Sequence, residues 1–308
     1  MYSLLFTFLS YESFIPMYQQ FFFDTLQTIS SGPQYNELAS GSALNSSINY
    51  SAAMPEITGN GFRDSLIVVM SGVCNISCVA LRGGNGGRGA AVRLEPEATL
   101  HLDTVVLLEN NAPSSGGGIY VSEHAVASVS NCLFFNNMAS ISHVGIARGG
   151  ALFNEGTVVV LRSTFESNTA SSIVSQAAGG AIYNLGDFKA EWSVFTKNSA
   201  AGGTVGEGGA LATFKNGSTM ELFQCILTNN TASISGGAIF AQSALTMRHC
   251  TVEFNQALVG SAIRTTPESP EPLLINVSMT DRPSLSEHSQ IDGVQEFIRP
   301  DNFRNGPW

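Results

Sequence analysis

Apolar residues along this chain fall in short runs, such as "ALFN", "TVVVLRSTF" and "AIYN", set between stretches of Gly, Ser, Asn and Thr. No segment carries a convincing 3.6-residue apolar period, and the β-branched and aromatic content of the runs marks them as strands. The runs recur. A Gly-Gly phrase appears as "GGGIY" at Gly116, "GGALF" at Gly149, "GGAIY" at Gly179, "GGALA" at Gly208 and "GGAIF" at Gly236, with a degenerate "GSAIR" at Gly260. The intervals are 33, 30, 29, 28 and 24 residues. Between them lies a second phrase, an apolar residue three positions before an asparagine. It runs Leu108 to Asn111, Phe134 to Asn137, Phe165 to Asn168, Phe195 to Asn198, Leu227 to Asn230 and Val252 to Asn255.

Self-similarity at this period points to a stacked architecture. Strands this short cannot close hairpins at constant phase and still return identical residues to identical positions, whereas a coil stacked on its predecessor can. Successive turns sit about 4.8 Å apart with strands paired in parallel, so seven coils make a rod roughly 34 Å long. The expected fold is all-β: a right-handed, single-stranded parallel β-helix of about seven coils over residues 61–280. Residues 1–60 are expected to cap its apolar end or stay unassigned, and 281–308 to form a loosely held tail.

Period-2 alternation turns the apolar column toward the core, together with the column two positions before it (Val106, Cys132, Ser163, Ser193, Cys225 and Cys250). Asn111, Asn137, Asn168, Asn198, Asn230 and Asn255 then lie at a corner. Stacked amides there bond along the axis and satisfy turn backbone groups. The Gly-Gly pair marks another corner, where φ > 0 or close backbone approach excludes a Cβ. Its third residue is always Gly or Ala, and its fourth, always Ile or Leu, is the expected inward residue.

Composition narrows the picture. Charged residues make up 12% of the chain, well below the usual share of about 25%, which argues against a helical bundle. A net charge of −10 with no Lys/Arg cluster argues against a nucleic-acid partner. No 18 consecutive residues are apolar, so no membrane-spanning helix is expected. The aromatic start lacks a basic region and makes a poor signal peptide. Six Asn-x-Ser/Thr sequons begin at Asn45, Asn49, Asn75, Asn216, Asn229 and Asn276, against about four expected by chance, and hint at a secreted glycoprotein. Cys74, Cys78, Cys132, Cys225 and Cys250 fit neither a disulfide framework nor a zinc pattern, and read as small buried side chains with one bridge at most.

The alternation of "GGA[IL]" with "FxxN" resembles the repeat of the chlamydial-type polymorphic outer-membrane proteins, over residues 88–263. That resemblance implies a pectin-lyase-like β-helical shape, secretion, surface display and adhesion. Bacterial members end in a membrane-embedded barrel of at least eight strands. With 45 residues after Ile263, this chain is not expected to export itself that way. The first functional expectation is thus a non-catalytic extracellular or surface protein that binds a polysaccharide or a surface protein. The alternative is a carbohydrate-active lyase, hydrolase or epimerase.

Such enzymes need clustered carboxylates for calcium or for acid–base work. Few acids stand in the repeats, and neither an Asp-Asp pair nor an Asp-Pro-His run is present. No catalytic residue is assigned. Glu123, Glu155 and Asp187 follow the Ile/Leu column by three to five residues and are the weak candidates for Ca²⁺. A solvated turn face is the favoured reading of the three. The column after Ile/Leu reads Tyr120, Phe153, Tyr183, Ala212 and Phe240. Facing outward, its rings suit stacking on sugars or a partner. Core or partial cover is the preferred reading, because exposed apolar stripes are uncommon.

Overall fold

The computed structural model describes residues 5–6, 54–59, 64–214, 217–280 and 291–292. Among them there is no helix. Each complete coil contributes a strand to each of three long parallel sheets, which hold ten, eight and nine strands among the described residues. One central coil shows the plan: Leu152–Asn154 lies in the first sheet, Thr157–Leu161 in the second and Thr164–Glu166 in the third. Each strand pairs with its counterpart one repeat later, Leu152 with Ile182, Thr157 with Asp187 and Thr164 with Val194. The result is an all-β parallel solenoid of about seven turns.

The fourth residue of the Gly-Gly phrase does face the core: Ile119, Leu152, Ile182, Leu211, Ile239 and Ile263 are fully buried. The two glycines serve different needs. Gly179 takes φ +64°, in the left-handed region that L side chains avoid. Gly180 has no such φ, but a Cβ there would lie 2.0 Å from the carbonyl oxygen of Gly209 and 2.5 Å from the amide of Ser199. The first glycine turns the chain; the second lets the next coil approach.

The asparagine ladder forms with one correction. Asn137 Nδ2 donates to Asn168 Oδ1 (3.0 Å), Asn168 Nδ2 to Asn198 Oδ1 (3.0 Å) and Asn198 Nδ2 to Asn230 Oδ1 (3.0 Å). Asn230 continues the chain to Asn255. At the other end the donor to Asn137 is Asn110, at 2.9 Å, not Asn111. Leu107 is in register with Phe134, so the first apolar residue is Leu107 and its column partner is Val105. Asn111 pairs with Met138 in the strand beyond the corner.

Boundaries shift slightly as well. Glu56–Thr58 pairs with Ala80–Arg82 in the third sheet, so coiling begins a few residues before 61. Leu273–Ile275 and Ser278–Thr280 add strands at the far end. In the first sheet, Leu5–Phe6 pairs with Val68–Val69 and Ile291–Asp292 with Ile263–Arg264. The rest of the expected cap and tail lies outside the described residues.

Three consecutive coils carry a flange that sequence reading missed. Met138–Ile141, Thr169–Ser172 and Ser199–Gly202 run out, and Ile146–Arg148, Gln176–Ala178 and Val205–Glu207 return. Ile141, Ala147, Ala170 and Ala177 fill its thin interior. Its tip exposes Val144 (83%) and Ile173 (73%), the most exposed large apolar residues among the described ones.

Candidate functional site

In two coils the corner between the first and second sheets is built by an Asn-x-Gly turn, at Asn154 and at Asn184. Asn154 Oδ1 accepts from the Gly156 amide at 3.0 Å, while Asn154 Nδ2 donates to Asn184 Oδ1 at 2.7 Å in the next coil. Asn184 in turn meets Thr213 Oγ1 (3.4 Å), and Thr213 meets Ser243. This second buried polar ladder was readable in "FNEG" and "YNLG", where an asparagine precedes glycine by two positions.

Corner length varies from coil to coil. Asn154 and Thr157 are in register with Val121 and Val126, yet four residues span the earlier corner and two the later one. The longer turn carries Glu123 and His124, the latter at φ +63°. Together with Glu155, Thr157, Asp187 and Ser218 they line a groove of about 310 Å³, near the lower limit of small-molecule sites at about 300 Å³. The three candidate carboxylates therefore do share one groove.

No group of three His, Cys, Asp or Glu residues among the described ones is placed to hold a metal ion. Glu155 accepts a short hydrogen bond from the Tyr120 hydroxyl of the preceding coil, and Arg88 Nη1 donates to the same hydroxyl at 3.2 Å. Burial first, and the Glu155 carboxylate second, push the Tyr120 phenol up to about 12. Asp187 Oδ1 accepts from Thr219 Oγ1 at 2.8 Å. Two of the three acids thus tie neighbouring coils together.

The aromatic column is covered. Tyr120, Phe153, Tyr183 and Phe240 are 3–7% exposed and form a cluster separate from the main core. The rings stack at centroid distances of 5.0 Å for Tyr120–Phe153 and 5.4 Å for Phe153–Tyr183. Ala212 leaves a gap in the column, and Phe214 fills it, 4.9 Å from Tyr183 and 5.1 Å from Phe240. Arg88 lies over the Tyr120 ring and Arg148 over Tyr183, at 5.3 and 5.7 Å. These faces are engaged by one another and by guanidinium groups, which leaves them unavailable to an incoming sugar ring. Phe214, Arg88 and Arg148 went unnoticed in the sequence; an aromatic two positions after the interrupting alanine was the signal for the first.

A family model described as a right handed β-helix region matches residues 47–257. No curated protein and no solved structure matches the chain. Among the described residues, no helix is long and apolar enough to cross a membrane.

Proposed function

The chain belongs to the right-handed β-helix family, and on that premise we propose that it is a non-catalytic binding scaffold working outside the cell or on its surface, in adhesion or as wall structure. The observation that carries this reading is the engagement of Glu155 by Tyr120 and of Asp187 by Thr219. Carboxylates held as ties between coils are poorly placed to exchange protons with a substrate. The likeness of the repeat to the polymorphic outer-membrane proteins supports surface display, and the apolar flange tip offers a contact surface of the kind that marks interaction sites. The test is incubation of the whole chain with neutral and acidic polysaccharides, and with cell surfaces. Retention without any change to the glycan is expected; release of unsaturated, shortened or epimerised product overturns the proposal. Protease treatment of intact cells tests the location.

A second reading, a pectin-lyase-like carbohydrate-active enzyme, is favoured by the convergence of Glu123, His124, Glu155 and Asp187 on one groove. It requires that E155Q and D187N each abolish product formation while the chain stays folded.

A further inference from the structure

Fifteen asparagines lie among the described residues, and six of them are exposed: Asn75, Asn85, Asn131, Asn136, Asn229 and Asn276. Three of the fifteen begin an Asn-x-Ser/Thr sequon, and all three, Asn75, Asn229 and Asn276, belong to the exposed six. The hydroxyl residues that complete these sequons, Ser77, Thr231 and Ser278, are exposed too. Neighbouring residues make the partition sharp. Asn230 is buried in the ladder, while Asn229 stands outside it on a left-handed corner at φ +57°. Asn276 occupies a different corner, between the second and third sheets, also left-handed at φ +51°, with its Nδ2 3.4 Å from His249 Nδ1.

Packing explains why the ladder asparagines are not sequons. The residue two positions after each of Asn110, Asn137, Asn168, Asn198 and Asn230 is a buried alanine, and these alanines stack in register. A hydroxyl there would be driven into an apolar interior. The fold therefore separates asparagines that hold the coils from asparagines that can carry a bulky hydrophilic group.

We infer that Asn75, Asn229 and Asn276 are acceptor sites for N-linked glycans, an inference that rests on the extracellular reading for its biological setting. In the transfer, Nδ2 bonds to C1 of an oligosaccharide carried on a polyprenyl diphosphate. The C1–O bond breaks, the diphosphate leaves with the electron pair, and the amide proton passes to a base of the transferase. Glycans at the Asn229 and Asn276 corners, and at Asn75 on the exposed face of strand Gly72–Ser77, project into solvent without disturbing the ladder.

The full chain, carried into the secretory pathway of a eukaryotic cell by a cleavable leader, is to be purified from the medium. Its peptides are mapped after enzymatic deglycosylation in ¹⁸O water, which marks each formerly glycosylated asparagine as labelled aspartate. Label at two or three of these sites, none on the ladder, and one gel step lost for each occupied site changed to glutamine are expected. Label at one site or none, or label on ladder asparagines in folded protein, overturns the inference. The natural location is measured separately on the native cells, so an intracellular result there removes the extracellular reading and leaves the acceptor result standing.

Discussion

At the scale of single residues, each ladder asparagine works at several contacts at once. Asn168 Nδ2 donates to Asn198 Oδ1 and to the Phe134 carbonyl, and its Oδ1 accepts from both the amide and the Nδ2 of Asn137. Truncation strands buried donors and acceptors on both sides, so Asn168→Ala is expected to lower unfolding stability by about 3 kcal/mol. Asn111→Ala, off the ladder, should stay within about 0.5 kcal/mol. Urea titration of the two variants checks the register directly, and equal costs would refute it. That register was the least legible feature of the sequence. In "LLENN" either leucine precedes an asparagine by three, and pairing of Leu107 with Phe134 decides what spacing cannot.

Tyr120 makes a pH-dependent prediction. Its folded-state phenol is raised to about 12 from the ordinary value of 10.0, so on alkalinisation the unfolded chain releases this proton first. The contribution is complete below about pH 10 and is lost as pH climbs toward about 12. Relative to Tyr120→Phe, the unmodified chain should lose stability across that window and not between pH 7 and 9. Denaturant midpoints at pH 8, 10 and 11.5 read it.

At the scale of elements, the corners and inward residues were legible because each repeats in sequence at fixed phase. The aromatic column resisted for a specific reason: Ile119, Tyr120 and Val121 are all buried, so a three-residue strand covered on both faces shows no alternation. The flange leaves only a change in interval: the next corner glycine comes 12, 11 and 10 positions after Asn137, Asn168 and Asn198, against 6 after Asn110. Extra length was readable; the shape it takes was not. The corridor for the second glycine gives the sharpest element-level test. Gly180→Ala drives a Cβ into the backbone of the next coil and is expected to cost about 3 kcal/mol or more. Gly87→Ala meets nothing within 4 Å and should be neutral or slightly stabilising, by up to about 1 kcal/mol. Thermal melts of the pair should separate widely.

At the scale of the molecule, stability is a sum over coils and the contacts between neighbours, as in other stacked repeats. The coil from Gly149 to Ala178 begins and ends at equivalent corners. Deleting it joins Arg148 to Gly179 and brings Asn137 over Asn198, Phe134 over Phe195 and Tyr120 over Tyr183. The corner asparagines and the two aromatic columns then close on like residues, because the deleted residues form one complete period; the Asn154–Asn184 bond is lost, with Asn184 brought over Val121. The shortened chain should therefore fold cooperatively with a β-type circular dichroism spectrum, and small-angle scattering should show a rod about 4.8 Å shorter. Removing half of that coil, residues 149–163, brings a third-sheet strand to a first-sheet position and strands the asparagine corner, so that chain should fail to fold. A folded half-coil deletion, or an unfolded whole-coil deletion, would mean that the coil is not the unit of this structure. The groove of Glu123, Glu155 and Asp187 supplies an internal control. Whole-coil deletion removes Glu155, the acceptor of the Tyr120 hydroxyl, and should lower the Tyr120 phenol only in part without unfolding the rod, because burial over Tyr183, the larger cause, is kept.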